Sequence, residues 1–424
     1  MGNNTVTLVR RQKEDYWQWL FKLGLFVLWP FGAFLYALKD AASRSSYTIF
    51  FLFGVIFCWH MNPTNLDRYD DLIGIMEEVI YNDYSFSDIW NQIVAYFSFS
   101  EDAPKELYNN LLICISKSFS QNPHLFFAIA AVPYLFFMLK SLKLITDDNK
   151  FDKSIYCLMI LGLFVLPRDI ITVQNPRFTT GVWIAVYATI KFFQQRHYSL
   201  KYFVMIAITP LIHSGFWFYL PLFIGGLLLR HYPKVTIWLL YISVPFSYMS
   251  YEILSTFDFS FLPPFLSKWA ENYMNEEHFS KYVLREGGSG FYWVARGAAI
   301  LKTTVYLLVP LFLWKYKDNP QVKKEHGSLL QYYIYIYAAI NFIQFVPVLG
   351  ERFMWIVQIL SAYLIFKVIY PRDKKLIVWL LIGCSYFIFR RYFYHGAVFS
   401  SVPLEVFYTP APSLILDFWG VTGY

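Results

Sequence analysis

At 424 residues, 57% hydrophobic and 15% charged, the chain carries too little charge for a soluble fold, in which about 25% of residues are charged. Its 43 Phe, 34 Tyr and 14 Trp exceed what a water-soluble core of this size hides, so the composition predicts an all-α, polytopic transmembrane helix bundle. It excludes a soluble enzyme, a nucleic-acid module and a secreted disulfide scaffold.

Nothing at the start reads as a cleaved signal peptide. Arg10, Arg11 and Lys13 precede an apolar run, but no small-residue cleavage site follows. Apolar runs predict about 11–12 spans, near 17–38, 47–61, 122–140, 154–168, 177–194, 200–213, 215–229, 235–255, 296–314, 329–347, 352–370 and 376–391. Segment 17–38 fits least well. If it spans, the basic start lies outside, against the positive-inside tendency. Lys22 and Pro30 also interrupt it, and the alternative is a bent or partly interfacial helix.

The breaks at 39–46, 140–153, 191–201, 230–234, 315–324 and 367–375 hold 15 Lys and 4 Arg and read as cytoplasmic, which accounts for most of the net charge of +7. Segment 61–121 instead has ten Asp/Glu against Arg68, Lys105 and Lys117. With segment 256–295 it forms a periplasmic cap on a single integral membrane domain, residues 1–424. Within it, 88–99 and 107–119 predict short amphipathic helices lying along the surface.

Two runs are short. Residues 155–167 and 201–213 are 13 residues each, roughly 20 Å of helix against a hydrocarbon core of about 30 Å. Both would end below the outer surface, where polar backbone is tolerated only inside protein or beside water. This predicts an outward-facing cavity floored by His213-Ser214-Gly215 and Arg168-Asp169, the alternative being helices that extend further.

Charge type divides by side. Arg68, Arg168, Arg177, Arg285, Arg296, Arg352, Arg390 and Arg391 fall on the predicted outer side with only four Lys. Topology signalling does not select Arg over Lys, whereas the guanidinium fork suits phosphate, carboxylate and sugar hydroxyls. The competing reading is snorkelling or ion pairing, residue by residue. Several outer acids neighbour an Arg, as in Asp67-Arg68-Tyr69-Asp70-Asp71, Arg168-Asp169 and Glu351-Arg352. Adjacent helical residues do not face one another, so each acid either ties one segment to another or serves as a general base. His213, between Pro210 and Ser214-Gly215, is a proton shuttle, a hydroxyl partner or a capping residue; His395 is a weaker candidate.

Outer aromatics such as Tyr69, Tyr84, Trp269 and Trp293 are an interfacial belt by default, and otherwise platforms for sugar rings. Cys58, Cys114, Cys157 and Cys384 lack C-x-x-C spacing and read as packing. No phosphate loop, Ser-His-Asp order, H-E-x-x-H or internal repeat occurs.

These elements resemble the EpsG-like family of exopolysaccharide proteins, akin to Wzy-type O-antigen polymerases. The likeness covers most of the length through short motifs. They are Asp67-Arg68-Tyr69, Glu106-Leu107-Tyr108 with Asn122-Pro123, Arg177 with Gly181 and Ala185, His213-Ser214, and Glu351-Arg352. The chain departs from the family pattern at Thr64-Asn65, where Gly-Thr is usual, and at Phe178, where Gln is usual. The resemblance implies a multi-pass inner-membrane polymerase of undecaprenyl-diphosphate-linked repeat units, working on the periplasmic side. Arg177, Arg168, Arg68, Arg296, Arg352, Arg390 and Arg391, with Asp67 and Tyr69, would hold diphosphate and sugar, and His213, Asp169 or Glu351 would deprotonate the acceptor. No metal or cofactor is expected, since no Asp-x-Asp spacing occurs. The partners are the lipid-linked glycan donor and acceptor, membrane lipid and a chain-length regulator, without nucleic acid. The alternatives are an O-antigen ligase with the same donor, a multi-span acyltransferase and a non-enzymatic lipid-oligosaccharide flippase. The flippase should show charge along its spans, where Lys302 is nearly alone.

Overall fold

A computed structural model describes residues 16–61, 69–81, 85–98, 100, 104, 107–120, 122–152, 154–194, 198–248, 292–344, 349–378, 380 and 402–418. The expected outer segment 256–291 and span residues 381–391 lie outside the described residues. Among the described residues the chain is helical, with no strand. Three helical stretches among the described residues are long and apolar enough to cross a membrane, Pro123–Thr146, Ile155–Gln174 and Leu349–Ile369, and four shorter apolar helices accompany them there. The chain divides into two compact units. One comprises Met1–Ser154, Asp169–Thr180 and Tyr392–Tyr424; the other comprises Ile155–Arg168 and Gly181–Arg391.

The first unit begins with a correction to the span expected over 17–38. Helices α1 (Tyr16–Leu28) and α2 (Pro30–Ala37) are separated at Trp29, whose backbone is extended at φ −156° and ψ 88°. Proline pushes the residue before it out of the helical region, and here the chain reverses. Phe21 packs on Tyr36 at 5.2 Å, so α1 and α2 run side by side as a hairpin. Phe31 and Phe34 of α2 meet Phe53 and Phe50 of α3 (Arg44–Trp59) in antiparallel register. At the open end, Lys22 is 1% exposed and its ammonium donates to Asp40, Ser43, Ser45 and Ser46. At the tip, the Trp29 indole N–H donates to the Phe407 carbonyl at 2.6 Å.

The rest of this unit is α4 (Tyr69–Tyr81), α5 (Phe86–Phe97), α6 (Tyr108–Phe119) and α7 (Pro123–Thr146). The two short amphipathic helices therefore form within a few residues of their expected places. A capping box between Ser85 and Asp88 starts α5. It leaves Phe86, Trp90, Val94 and Phe97 exposed along one stripe. Leu112, Ile113 and Val79 pack on Phe126, Phe127 and Ala130 of α7. Gly54 of α3 admits Leu135 of α7, because a Cβ there would lie 2.7 Å from its side chain.

The second unit contains α8 (Ile155–Val165), most of α9 (Pro176–Phe193), α10 (Leu200–Ala207), α11 (Thr209–Ile212), α12 (Phe216–Leu229) and α13 (Pro233–Ser243). It continues through α14 (Tyr292–Trp314), α15 (Pro320–Glu325), α16 (Gly327–Asn341) and α17 (Leu349–Leu364). Helix α13 stops short of the span expected over 235–255, because Pro245 cannot continue it and a 3₁₀ turn follows. Buried hydroxyls join helices across this unit: Thr189 to Tyr219 at 3.0 Å, Tyr219 to Tyr332 at 2.9 Å, and Tyr333 to Ser361 at 2.7 Å. Such bonds substitute for the hydrophobic drive that lipid removes.

Candidate functional site

In the second unit, α8 gives way at Leu166 to a 3₁₀ turn ending at Arg168, as Pro167 requires. The Arg168 carbonyl accepts the indole N–H of Trp183 at 3.1 Å, and Trp183 is fully buried in α9. That anchor directs the Arg168 side chain, 7% exposed, toward α17. Its guanidinium lies over the indole of Trp355, a cation–π contact. Glu351 stands one turn earlier on the same face of α17 and is exposed; Arg352 beside it is half-buried.

The His213 turn reaches the same helix. The run from Leu200 ends at His213, as the short span predicts, after a break at Ile208. The ring of Phe216 meets that of Phe353 edge-on at 5.7 Å, and the His213 ring meets Phe216 at 6.4 Å. Arg168, the His213 turn, Glu351 and Arg352 are thus gathered around the first two turns of α17. The positive end of the helix dipole at this helix start also favours an anion. The expected partner residue Gly181 also has its reason here: a Cβ at that point of α9 would lie 2.5 Å from the Phe216 ring.

Asp169 and Arg177 belong to the first unit. Asp169 is 2% exposed, and its carbonyl accepts both the N–H and the hydroxyl of Thr172, at 3.0 and 2.6 Å. The Thr179 hydroxyl donates to the Thr172 carbonyl at 2.9 Å. These bonds fold 169–180 into a compact turn that presents Arg177, half-buried, as the second residue of α9. Asp67, Arg68, Arg390 and Arg391 lie outside the described residues. For Tyr69 and Arg296 the backbone alone is described, at the start of α4 and within the first turns of α14. Among the described residues no group of three His, Cys, Asp or Glu side chains is placed to hold a metal ion.

The sequence does not flag Trp355. A tryptophan in an apolar run reads as belt or core, and only its four-residue spacing from Glu351 marks it.

The model of the EpsG family matches residues 81–406. The chain belongs to the EpsG family. No curated protein and no solved structure matches it. The matched stretch of this EpsG protein includes Arg168, Asp169, Arg177, His213, Glu351 and Arg352, and stops short of Asp67, Arg68 and Tyr69. EpsG membership and the apolar helices together make it a membrane protein with a polysaccharide-polymerase-like role.

Proposed function

We propose that this EpsG protein polymerises undecaprenyl-diphosphate-linked oligosaccharide repeat units at the periplasmic face of the inner membrane, as a multi-pass bundle capped by segments 61–121 and 256–295. The observation that carries the reading is the buried guanidinium of Arg168, held on Trp355 beside Glu351, Arg352 and the His213 turn. A cation kept at the end of apolar helices is costly unless function requires it, and a lipid diphosphate is an anion delivered at that depth.

In the transfer, the anomeric C–O bond of the donor sugar breaks and its electron pair leaves on the diphosphate. The acceptor sugar hydroxyl forms the new C–O bond, and its proton passes to a base, for which His213, Glu351 and Asp169 are the alternative candidates. Arg168 and Arg352 stabilise the charge arriving on the diphosphate. The sidedness rests on the Lys-rich breaks and on the α1–α2 hairpin. That hairpin returns the start of α1 toward loop 39–46, so the basic Arg10, Arg11 and Lys13 precede a helix that begins on the Lys-rich side.

The test is the glycan profile of a strain lacking the protein. Loss of the ladder of long chains, with single repeats accumulating on the carrier, is expected. An unchanged ladder with unmodified lipid A core would indicate a ligase instead, and unextended repeats trapped on the cytoplasmic leaflet a flippase.

A further inference from the structure

Three helices of the second unit meet at a line of buried hydroxyls, and one of its members also supports α17. The Tyr219 hydroxyl of α12 lies 3.0 Å from that of Thr189 in α9 and 2.9 Å from that of Tyr332 in α16, and all three side chains are fully buried. A buried hydroxyl that leaves its partners loses its hydrogen bonds without gaining water. Two partners therefore hold the phenol oxygen in place, and with it the long axis of the ring. The ring so held lies parallel to that of Phe353 in α17, with an interplanar angle of 4° and centroids 6.1 Å apart. Phe216 meets both rings edge-on, 5.7 Å from Phe353 and 6.0 Å from Tyr219. Offset-parallel and edge-on contacts are the favoured geometries of aromatic pairs.

Phe353 is the residue after Arg352 and is itself fully buried. Gly350, before Glu351, fixes the same turn through the preceding chain. A Cβ there would lie 2.3 Å from the Gln344 Cα and 2.6 Å from the Ile343 carbonyl oxygen, so backbone presses directly on the start of α17. Glu351, exposed, and Arg352, half-buried, stand between these two supports. We infer that Tyr219 is a positioning residue for Glu351 and Arg352. Its hydroxyl bonds set the ring on which Phe353 rests, and Phe353 sets the turn that carries the carboxylate and the guanidinium. The inference rests on the function proposed above, which gives Arg352 the diphosphate and makes Glu351 a candidate base. Contacts made in the transition state are sensitive to displacements of about 1 Å, whereas the binding of a long lipid and glycan is spread over many contacts. A loosened turn should therefore lower kcat more than it raises KM.

Tyr219→Phe keeps the stacked ring and removes its hydroxyl; Tyr219→Leu removes both. Tyr332→Phe removes one partner of the hydroxyl and leaves the Tyr219 ring intact. Hydrogen–deuterium exchange of the full-length protein in lipid nanodiscs reads the turn directly. Faster exchange over residues 349–358 is expected in Tyr219→Phe and in Tyr332→Phe, and more so in Tyr219→Leu. Parent rates at 349–358, or a rise shared by every helix of the unit, would overturn the inference. Chain extension on a lipid-diphosphate-linked repeat gives the second readout. Tyr219→Phe should lower kcat about tenfold, with KM within about twofold of the parent and melting little changed. An unchanged kcat, or a loss that only follows the melting temperature, would leave Tyr219 as packing and also overturn the inference. If the parent extends nothing, the proposed function falls, while the exchange still decides whether Tyr219 holds the turn.

Discussion

The Lys22 ammonium lies 2.7 Å from a carboxylate oxygen of Asp40, eighteen residues further along the chain. In a continuous helix eighteen residues separate two positions by about 27 Å, so this contact is incompatible with one straight span over 17–38. Tyr16 then lies farther from the Trp29 tip than Lys22 does. We expect Tyr16→Cys and Ala42→Cys to be labelled by a membrane-impermeant thiol reagent from the same side. Labelling from opposite sides would restore the single span.

Acid should loosen this hairpin. Burial works to raise the Asp40 carboxyl, but hydrogen bonds from Lys22 and Ser46 and the Lys22 charge outweigh it, so Asp40 ionises below its ordinary value. A lowered folded value contributes stability above the ordinary aspartate value of about 3.9, and the contribution is lost as pH falls through the folded value. The parent should therefore lose thermal stability below about pH 4 more steeply than Asp40→Asn. Lys22→Met should cost about 2 kcal/mol at neutral pH, less than the ~3–5 kcal/mol of a fully buried pair, because Asp40 is 39% exposed. Melting of purified variants in detergent reads both.

Arg177→Ala should abolish long chains and lower extension about 10²–10³-fold, with melting unchanged, if its guanidinium holds diphosphate at the start of α9. Arg177→Lys keeps the charge without the fork and should retain partial activity. A parallel loss of melting temperature and activity in Arg177→Ala would assign it to structure alone.

Trp355 should matter through Arg168. Trp355→Leu removes the aromatic face beneath the guanidinium and should reduce extension to nearly the level of Arg168→Ala, whereas Trp355→Phe retains most of it. A double-mutant cycle on stability should give a coupling of about 1–2 kcal/mol. Additive losses would separate the two residues.

The distribution of what the sequence revealed follows from distance along the chain. The apolar runs that became α7, α16 and α17 are local signals, and so are the amphipathic periods of α5 and α6. The reversal at Trp29 was foreshadowed only by Lys22 and Pro30 as interruptions, because the partner of Lys22 lies beyond α2. At the site, Arg168 and Glu351 stand out as charges at the ends of apolar runs. Trp355 and Trp183 do not, since a tryptophan that supports a guanidinium and one that fills a belt look alike in one dimension. His213-Ser214-Gly215 was visible as a turn. That the Gly215 N–H reaches the His213 ring depends on a ring-to-backbone distance that no spacing encodes.

Gly181 and Phe216 offer a steric test. Gly181→Ala places a methyl group 2.5 Å from the Phe216 ring, and overpacking of this kind costs about 1–3 kcal/mol. Because Phe216 follows the His213 turn, extension should fall together with melting. Adding Phe216→Leu should recover the melting temperature and leave activity impaired. Full recovery of both would mean that the Phe216 ring only fills space.

The indole-to-carbonyl bond between Trp29 and Phe407 joins two segments 378 residues apart along the chain. The tip of the hairpin waits through more than three hundred residues of synthesis for the group that closes it. The other unit, residues 155–168 and 181–391, has been made in full by then and can consolidate meanwhile. The bond at the hairpin tip therefore closes only after the other unit has been synthesised. A nascent chain arrested before residue 402 should carry a protease-sensitive start and a protected middle.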